Sequence, residues 1–530
     1  MNDHKKYLRQ NVKVEPLFNQ LYAWPHLIAP ATAAMNIAFH HLKIMGSYVN
    51  APQVHASAVK NPAMLGGPFI DYEGGRVDEI KELMEKTKVL QGNLIAFAEA
   101  VKTLDAMLLT EAKGESLEPL YNRIPDALKG YVELVYDLNN NPSIRYFESL
   151  LYRSEYYDPS SQSIALSLIS QDERPFVLST PRLIGEGTVH LKIPFAHPGL
   201  NELFRMKEIP QSYSFIKEKL SIEDRYDELF QSFLTDEVPQ KRLSYDGDKV
   251  KVTYLGHACI LIETNGLSIL TDPVLSYKYP DCSDRLTFSD LPEKIDYVLI
   301  THTHQDHLMF ETLLQIRHKI ENVVVARNSG GSLQDPSLKL NLKHTGFNNV
   351  IELDPMDSIS IPDGSLTALP FIGEHSDLDI HSKTGHLIHL KGHSLLCAAD
   401  SCNISPEMYQ HIHQALGNIE VLFLGMECEG APLSWLYGPL LTKPVNRKMD
   451  FSRTLSGSDY KQAIQLVNEF NCKQVYVYAM GQEPWMNYIM SKKYTEESKP
   501  IVESNRLIEE CRSRGIIAER LLGQREILCV

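Results

Sequence analysis

The chain has 530 residues, of which 43% are hydrophobic and 22% charged, and its formal net charge is −15. This length predicts about two to four compact units, and the composition is typical of a folded globular protein. The negative charge would repel a phosphate backbone, so nucleic acid is not expected as a partner.

We expect neither a membrane span nor a secretory signal from this sequence. No run approaches the roughly 18 unbroken apolar residues of a membrane span, and the start MNDHKKYLRQ lacks the apolar core of a secretory signal. The 8 cysteines are scattered without a CxxC pair, so a disulfide framework is not expected. We therefore expect a cytoplasmic protein without membrane contact.

The first half, residues 1–245, is predicted to be a mixed, largely helical domain. Apolar residues recur every three, four or seven positions from Ile80 to Leu108, which predicts one apolar stripe along a helix. Such a stripe would serve as core or as a dimer contact. The charged segment before Tyr245 places the domain boundary there.

The second half, residues 246–530, reads as strands with turn signals and occasional helices. KVKVTYLGHACILIET and LSILTDP flank the pair Asn265-Gly266, which predicts a β-hairpin. The pattern as a whole predicts an α/β or α+β sandwich.

The segment THTHQDH carries the strongest chemical signal. It follows the apolar strand residues Tyr297 to Ile300 and precedes an amphipathic helix, so it forms a strand-to-helix loop. His302 and His304 would share one face, whereas Asp306 and His307 would point elsewhere. One metal ion cannot easily use all four side chains, so the motif predicts two neighbouring metal ions.

At these residues the chain resembles the metallo-β-lactamase superfamily. The likeness rests on GHACILIET, ILTDPVLS, THTHQDH and CAADS, over roughly residues 246–490. It implies an αββα sandwich in which His302 and His304 bind the first metal, Asp306 and His307 bind the second, and Asp400 bridges them. His257 and Asp272 match family positions as supports that hold the ligand loops by hydrogen bonds, or are plain turn and core residues.

The chain departs from the zinc hydrolases of that superfamily at two points. Where they supply a third histidine to the first metal, the loop LPFIGEHSDLDIHSK offers Glu374 beside His375, and no histidine follows His413. We favour Glu374, with His375 as its rival. Three imidazoles and three carboxylates then form a hard, oxygen-rich set that favours iron or manganese over zinc.

With this departure and the long N-terminal domain, the chain resembles the di-iron β-hydroxylase of chloramphenicol biosynthesis over most of its length. The resemblance implies two iron ions held by His302, His304, Asp306, His307, Glu374 and Asp400. It implies a monooxygenase that hydroxylates the β-carbon of an amino acid tethered as a thioester to the carrier domain of a nonribosomal peptide synthetase. An external electron donor, catalytic roles for Glu374 and Asp400, and a homodimer belong to the same expectation.

Two alternatives remain open. A zinc-dependent hydrolase of an ester, lactone or phosphodiester, with two zinc ions, is favoured if His375 faces the metals. A metal-stabilised binding or assembly protein would use the helical first half.

A tethered substrate also needs a docking surface and a pocket. Lys443, Arg447, Lys448 and Arg453 are a candidate basic patch for an acidic carrier domain, or a solvated loop. Trp435, Tyr437 and Trp485 are candidate pocket walls, or ordinary packing residues.

Overall fold

The computed structural model describes residues 4–240, 242–280 and 285–529. Its first half mixes short strands with helices. The strands are β1 (Tyr7–Leu8), β2 (Val12–Phe18), β3 (Leu21–Tyr22), β4 (Val132–Tyr136), β5 (Pro142–Tyr146), β6 (Gln162–Leu168), β7 (Val189–Leu191) and β8 (Leu234–Thr235). The helices are α1 (Pro25–Ile28), α2 (Pro30–Asn36), α3 (Leu42–Asn50), α4 (Pro52–Ala58), α5 (Val77–Leu90), α6 (Gly92–Glu111), α7 (Glu148–Leu151), α8 (Gly199–Arg205), α9 (Tyr213–Leu220) and α10 (Asp227–Ser232).

The apolar stripe from Ile80 to Leu108 does not lie on one helix, so that prediction is wrong. The helix is interrupted at Gln91, between α5 and α6, and Leu90 is 58% exposed. The buried faces of α5 and α6 pack into two different apolar clusters of the first half. Because these faces are already covered, they offer no free apolar surface to an assembly partner.

The second half contains two large sheets. Its strands are β9 (Val250–Gly256), β10 (Cys259–Thr264), β11 (Leu267–Thr271), β12 (Ile295–Leu299), β13 (Ile320–Ala326), β14 (Val350–Leu353), β15 (Ser358–Ile361), β16 (Gly364–Leu369), β17 (Gly385–Leu390), β18 (His393–Cys397), β19 (Val421–Gly425), β20 (Gln474–Tyr478), β21 (Ile517–Arg520) and β22 (Arg525–Cys529). Its helices are α11 (Phe310–Ile316), α12 (Leu338–His344), α13 (Pro406–Leu416), α14 (Leu433–Tyr437), α15 (Arg447–Ser452), α16 (Tyr460–Glu469), α17 (Asn487–Met490) and α18 (Lys499–Ser513).

Each large sheet has seven strands in the described part of the chain. The first has the order β14-β13-β12-β11-β10-β9-β22, and the second runs from β15 to β21 in sequence order. The predicted hairpin is confirmed, since β10 and β11 pair antiparallel across Asn265 and Gly266, whose φ is 81°.

Hydrophobic packing joins the two sheets face to face. Val252, Ile262 and Leu299 of the first sheet meet Ile388 and Phe423 of the second in one apolar cluster. Helices α13, α16 and α18 pack on the outside of the second sheet. On the outside of the first sheet, α11 and α12 share a cluster with strands and helices of the first half. The predicted αββα sandwich is thereby confirmed, and the predicted division near residue 245 falls between β8 and β9.

The directions of the strands bring the loops with the candidate metal ligands to one edge of the sandwich. Strands β11 and β12 run parallel, as do β18 and β19, and β16 runs in the direction of β18 through two antiparallel pairings. Because parallel strands present their carboxyl ends at one edge, the loops after them meet there. Within the described residues, no helix has the length and apolar character needed to cross a bilayer.

A buried charge network fastens the first half to the helix behind these loops. Glu311, in the first turn of α11, accepts hydrogen bonds from Tyr22 at 2.8 Å, from Tyr277 at 2.7 Å and from Arg174 at 2.8 Å. Arg174 also donates to Glu15 at 2.9 Å and lies over the ring of Tyr488. A buried carboxylate needs such partners, because without them desolvation would strongly disfavour its charge.

We predict that Arg174→Met lowers the free energy of unfolding by about 3–5 kcal/mol, because it leaves buried carboxylates without their guanidinium. The matched control is Arg205→Met, which breaks the half-exposed pair with Glu202 and should cost less than about 1 kcal/mol. Urea denaturation measures both. An Arg174 variant as stable as the control would contradict the role of this network.

Candidate metal centre

The loop after β12 presents its histidines inward. Strand β12 ends at Leu299 and α11 begins at Phe310, and the motif lies between them. His302 and His307 are 0% exposed, and His304 and Asp306 are also buried. Four side chains able to bind metal are thus held in the interior by a short, irregular connection.

His302, His304 and Glu374 form a first group whose candidate ligand atoms lie within 4.8 Å of one another. Glu374 follows β16, and its Oε1 is 2.8 Å from His304 Nδ1. Its Oε2 is 3.7 Å from His302 Nε2. The loop after β16 therefore supplies a carboxylate to the two histidines from the loop after β12.

A second group contains Asp306, His307 and His257, again with ligand atoms within 4.8 Å. His257 Nε2 lies 3.2 Å from Asp306 Oδ2. Asp400, which follows β18, places Oδ2 3.0 Å from His307 Nε2 and 3.9 Å from His302 Nε2. Asp400 thus lies between the two groups, where a bridging carboxylate would be found.

The other ring nitrogen of each motif histidine is held by a neighbour. The contacts are Thr301 Oγ1 to His302 Nδ1 at 3.0 Å, Tyr437 Oη to His304 Nε2 at 2.8 Å, and Asp272 Oδ2 to His307 Nδ1 at 2.8 Å. Asp272 also accepts from the Thr301 backbone N–H at 2.8 Å. Such partners fix ring orientation and raise ligand basicity.

The donor set fits metal ions. His302 Nε2, Glu374 Oε2 and Asp400 Oδ1 are buried and have no hydrogen-bond partner among the described residues. Buried polar atoms without partners are costly, and a cation between His302 Nε2 and Glu374 Oε2, which lie 3.7 Å apart, would satisfy both. The mixture of imidazoles and carboxylates suits iron or manganese as well as zinc.

Burial and the charges of neighbouring side chains shift the pKa values of the two carboxyls in opposite directions. Burial raises the pKa of Glu374 to about 7, against the opposing influence of His304. Burial would also raise the pKa of Asp306, but the imidazoles of His307 and His257 hold that pKa well below its usual range. One carboxyl of the centre therefore carries a proton near neutral pH when no metal is bound, while Asp306 stays charged.

Backbone strain accompanies the ligand loops. Glu374 has a φ of 65°, His257 of 50° and Asp272 of 32°, all in the left-handed region that L-residues rarely occupy. Ser376 and Asp377, with φ of 54° and 55°, extend the strain along the Glu374 loop. Such conformations persist where the surrounding structure enforces them, commonly at functional sites.

His375, the rival of Glu374, lies beside the centre. Its ring stacks on that of His304, with 4.6 Å between centroids and 22° between planes. Its Nδ1 lies 3.2 Å from Glu374 Oε2, but His375 belongs to none of the groups of candidate ligands in the described chain. This geometry favours Glu374.

The three candidate pocket residues have different positions. Tyr437 reaches His304 directly, whereas Trp485 is buried in a cluster with Tyr22 and Met309 and lies against Gly256, the residue before His257. Trp435 is half-buried, with its ring beside Gly66.

Sequence reasoning did not single out Glu427, which follows β19 as Asp400 follows β18. Glu427 pairs with Lys492. Burial raises the pKa of Glu427, while the charge of Lys492 acts to lower it. Its place after an apolar parallel strand is the signal that could have found it.

We predict that Tyr437→Phe weakens metal retention about 10-fold or more while leaving the fold intact, because His304 loses the partner that orients it. The control is Tyr136→Phe, which removes an exposed hydroxyl contact with Glu115. Competition with a chelator measures both affinities. Equal affinities in the two variants would show that the Tyr437 contact does not support the ligand.

We also predict a buried protonated carboxyl in the metal-free protein that titrates near pH 7. The raised pKa of Glu374 means that the acid form is present below about 7 and lost above it. Infrared spectroscopy should show its C=O band below pH 7, and Glu374→Gln should remove it.

The buried carboxyl of Glu148, whose pKa is also raised to about 7 by burial, provides an internal control, since its band should remain in the variant. An unchanged spectrum in Glu374→Gln would contradict the assignment.

Two family models match the chain. The family model described as the di-iron non-haem β-hydroxylase N-terminal domain matches residues 7–238, and a β-lactamase superfamily domain matches residues 251–365. The 4-amino-L-phenylalanyl-[CmlP-peptidyl-carrier-protein] 3-hydroxylase of Streptomyces venezuelae is 40% identical over 523 residues, covering 97% of this chain and 98% of that protein.

Solved structures give the same result. The crystal structure of CmlA, a di-iron β-hydroxylase from Streptomyces venezuelae, superposes with a TM-score of 0.93 at 39% identity, covering 99% of both chains. A mutant of the CmlA β-hydroxylase gives a TM-score of 0.91 at 38% identity, covering 99% of this chain and 100% of that one. The predicted metallo-β-lactamase fold is confirmed, and the chain belongs to the family of di-iron non-haem β-hydroxylases.

Proposed function

We propose that this protein hydroxylates the β-carbon of an amino acid held as a thioester on the carrier domain of a nonribosomal peptide synthetase. The observation that carries the proposal is the placement of Glu374, rather than a third histidine, against His302 and His304. The relative from Streptomyces venezuelae, similar over nearly the whole chain, is named for hydroxylation of a carrier-bound amino acid.

We propose that the first iron is held by His302, His304 and Glu374, and the second by Asp306 and His307, with Asp400 as the bridge. His257 lies close enough to Asp306 to support it by a hydrogen bond, or to add a ligand to the second iron. Asp272 holds the far side of His307. The donor atoms face one another across distances that two adjacent cations could fill.

Two irons at this centre would supply the redox capacity to reduce dioxygen, which zinc lacks. The reaction balances when one oxygen atom enters the C–H bond and the other leaves as water, using two electrons and two protons from outside the site. An external electron donor is therefore part of the proposal. The homodimer and the cytoplasmic location remain predictions from sequence.

All side chains of the centre are buried, but its carboxylates retain slightly more exposure than His302 and His307. The side chains of His302 and His307 are 0% exposed, whereas those of Glu374, Asp400 and Asp306 retain 8%, 10% and 11%. Substrate and dioxygen would therefore approach from the carboxylate side. Thr301, Asp272 and Tyr437 meanwhile hold the imidazoles in place.

The hydrolase alternative depended on His375 facing the metals. Its ring instead stacks on His304 outside both groups of candidate ligands. A first group with a carboxylate in place of the third imidazole suits oxygen chemistry better than zinc-assisted hydrolysis.

The test compares Glu374→Ala with His375→Ala after loading with ferrous iron. Wild-type protein should bind two irons and, with dioxygen and a reductant, add one oxygen atom to a carrier-bound aminoacyl group, detected by mass spectrometry. Glu374→Ala should lose at least about 100-fold in activity together with iron, because a ligand is missing.

His375→Ala serves as the matched control, since it alters the neighbouring buried side chain and should retain both irons. Ester hydrolysis by zinc-loaded wild type, without hydroxylation by the iron form, would overturn the proposed function. Loss of iron in His375→Ala alone would reverse the assignment of the ligand.

A further inference from the structure

A basic segment, residues 443–453, lies beside the metal centre. Its charged side chains are Lys443, Arg447, Lys448, Asp450 and Arg453. Most of it is exposed, and it includes the short helix α15. Four basic groups against one acidic group make it locally positive in a chain whose formal net charge is −15.

The positive charge of the segment is largely uncompensated. Asp450, its one acid, accepts hydrogen bonds from the Ser434 backbone N–H and hydroxyl, both at 2.8 Å. Lys443, Arg447 and Lys448 are exposed and form no ion pair with any residue that the structure describes. These three side chains are available to an outside partner.

Exposed apolar side chains interrupt the charges. Met449 is 45% exposed and Phe451 is 57% exposed, although both are large and hydrophobic. Methionine, aromatic residues and arginine are enriched where proteins bind one another.

Direct contacts connect the segment to the metal centre. Arg453 Nε donates to the backbone oxygen of Ser376 at 2.8 Å, two residues beyond Glu374. Asp450 binds Ser434 at the start of α14, the helix that ends at Tyr437, whose hydroxyl bonds His304. The segment therefore lies beside the elements that carry or hold two ligands of the first group.

We infer that the basic segment is the docking surface for the carrier domain. This inference rests on the proposed function, because it assumes a substrate delivered on a carrier. The partner is an acidic carrier domain whose substrate arm is attached through a phosphodiester, so both the domain and the root of its arm are negatively charged. Charge complementarity of this kind guides encounter and fixes orientation.

Acidic residues beside the basic segment limit where an acidic partner can bind. Asp377 and Asp379 are exposed on the loop beyond Ser376. They would repel an acidic partner, so the partner would bind at the basic segment.

The test uses the charge-reversal double variant Lys443→Glu with Lys448→Glu. Its matched control is Lys81→Glu with Lys86→Glu, which makes the same charge change at exposed positions on α5. The probe is the peptidyl carrier domain named with the Streptomyces venezuelae relative, loaded with 4-amino-L-phenylalanine. Its Kd is measured at low and high salt, and hydroxylation is assayed in parallel on the same amino acid attached to free pantetheine.

The first double variant should weaken carrier binding about 10-fold or more at low salt, with a smaller difference at high salt. Turnover of the pantetheine thioester should remain unchanged, and the control should bind like wild type. Equal binding by the two double variants, or no measurable binding by wild type, would overturn the docking surface. Binding by wild type without any hydroxylation would instead overturn the proposed function and leave the docking surface standing.

Discussion

Burial of carboxylates and imidazoles with their donor atoms facing one another is the constraint on which the rest of the structure depends. His302, Glu374 and Asp400 each hold a buried polar atom that has no hydrogen-bond partner in the described part of the chain. Such an arrangement is unfavourable unless cations neutralise it, so metal binding and the native geometry are coupled. The ligand set then determines which chemistry the metal can perform.

The fold meets this constraint by bringing strand ends together and supporting the loops that follow. The carboxyl ends of β12, β16 and β18 deliver the motif loop, Glu374 and Asp400 to one edge. Asp272 and Tyr437 hold the outer ring nitrogens of His307 and His304. Behind them, Glu311 joins α11 to the first half, so the N-terminal domain helps to fix the helix that follows the motif.

Much of the centre could be predicted from sequence because its information is local. The motif from His302 to His307 places four ligand-type side chains after one strand, and Asp400 ends a recognisable apolar strand. Glu374 could be proposed from its place in the loop. Which of the two neighbours, Glu374 or His375, faces the other candidate ligands depends on the backbone conformation of the loop, which no local sequence pattern specifies. Positive φ at Glu374 and the stacking of His375 on His304 are tertiary features.

Long-range contacts account for what sequence reasoning missed. Tyr437 lies 133 residues from His304, and no local pattern indicates that its hydroxyl reaches that ring. The supposed single helix from Ile80 to Leu108 failed because three-to-four spacing continues across Gln91, where the backbone leaves the helix. Arg174 and Glu311 likewise look like ordinary surface charges until the fold buries them together.

The most direct test of the account is anomalous diffraction at the iron absorption edge from crystals of iron-loaded protein. The account predicts two neighbouring peaks, one bounded by His302, His304 and Glu374, the other by Asp306 and His307, with Asp400 between them. A single peak, or Glu374 turned away with His375 bound in its place, would contradict it.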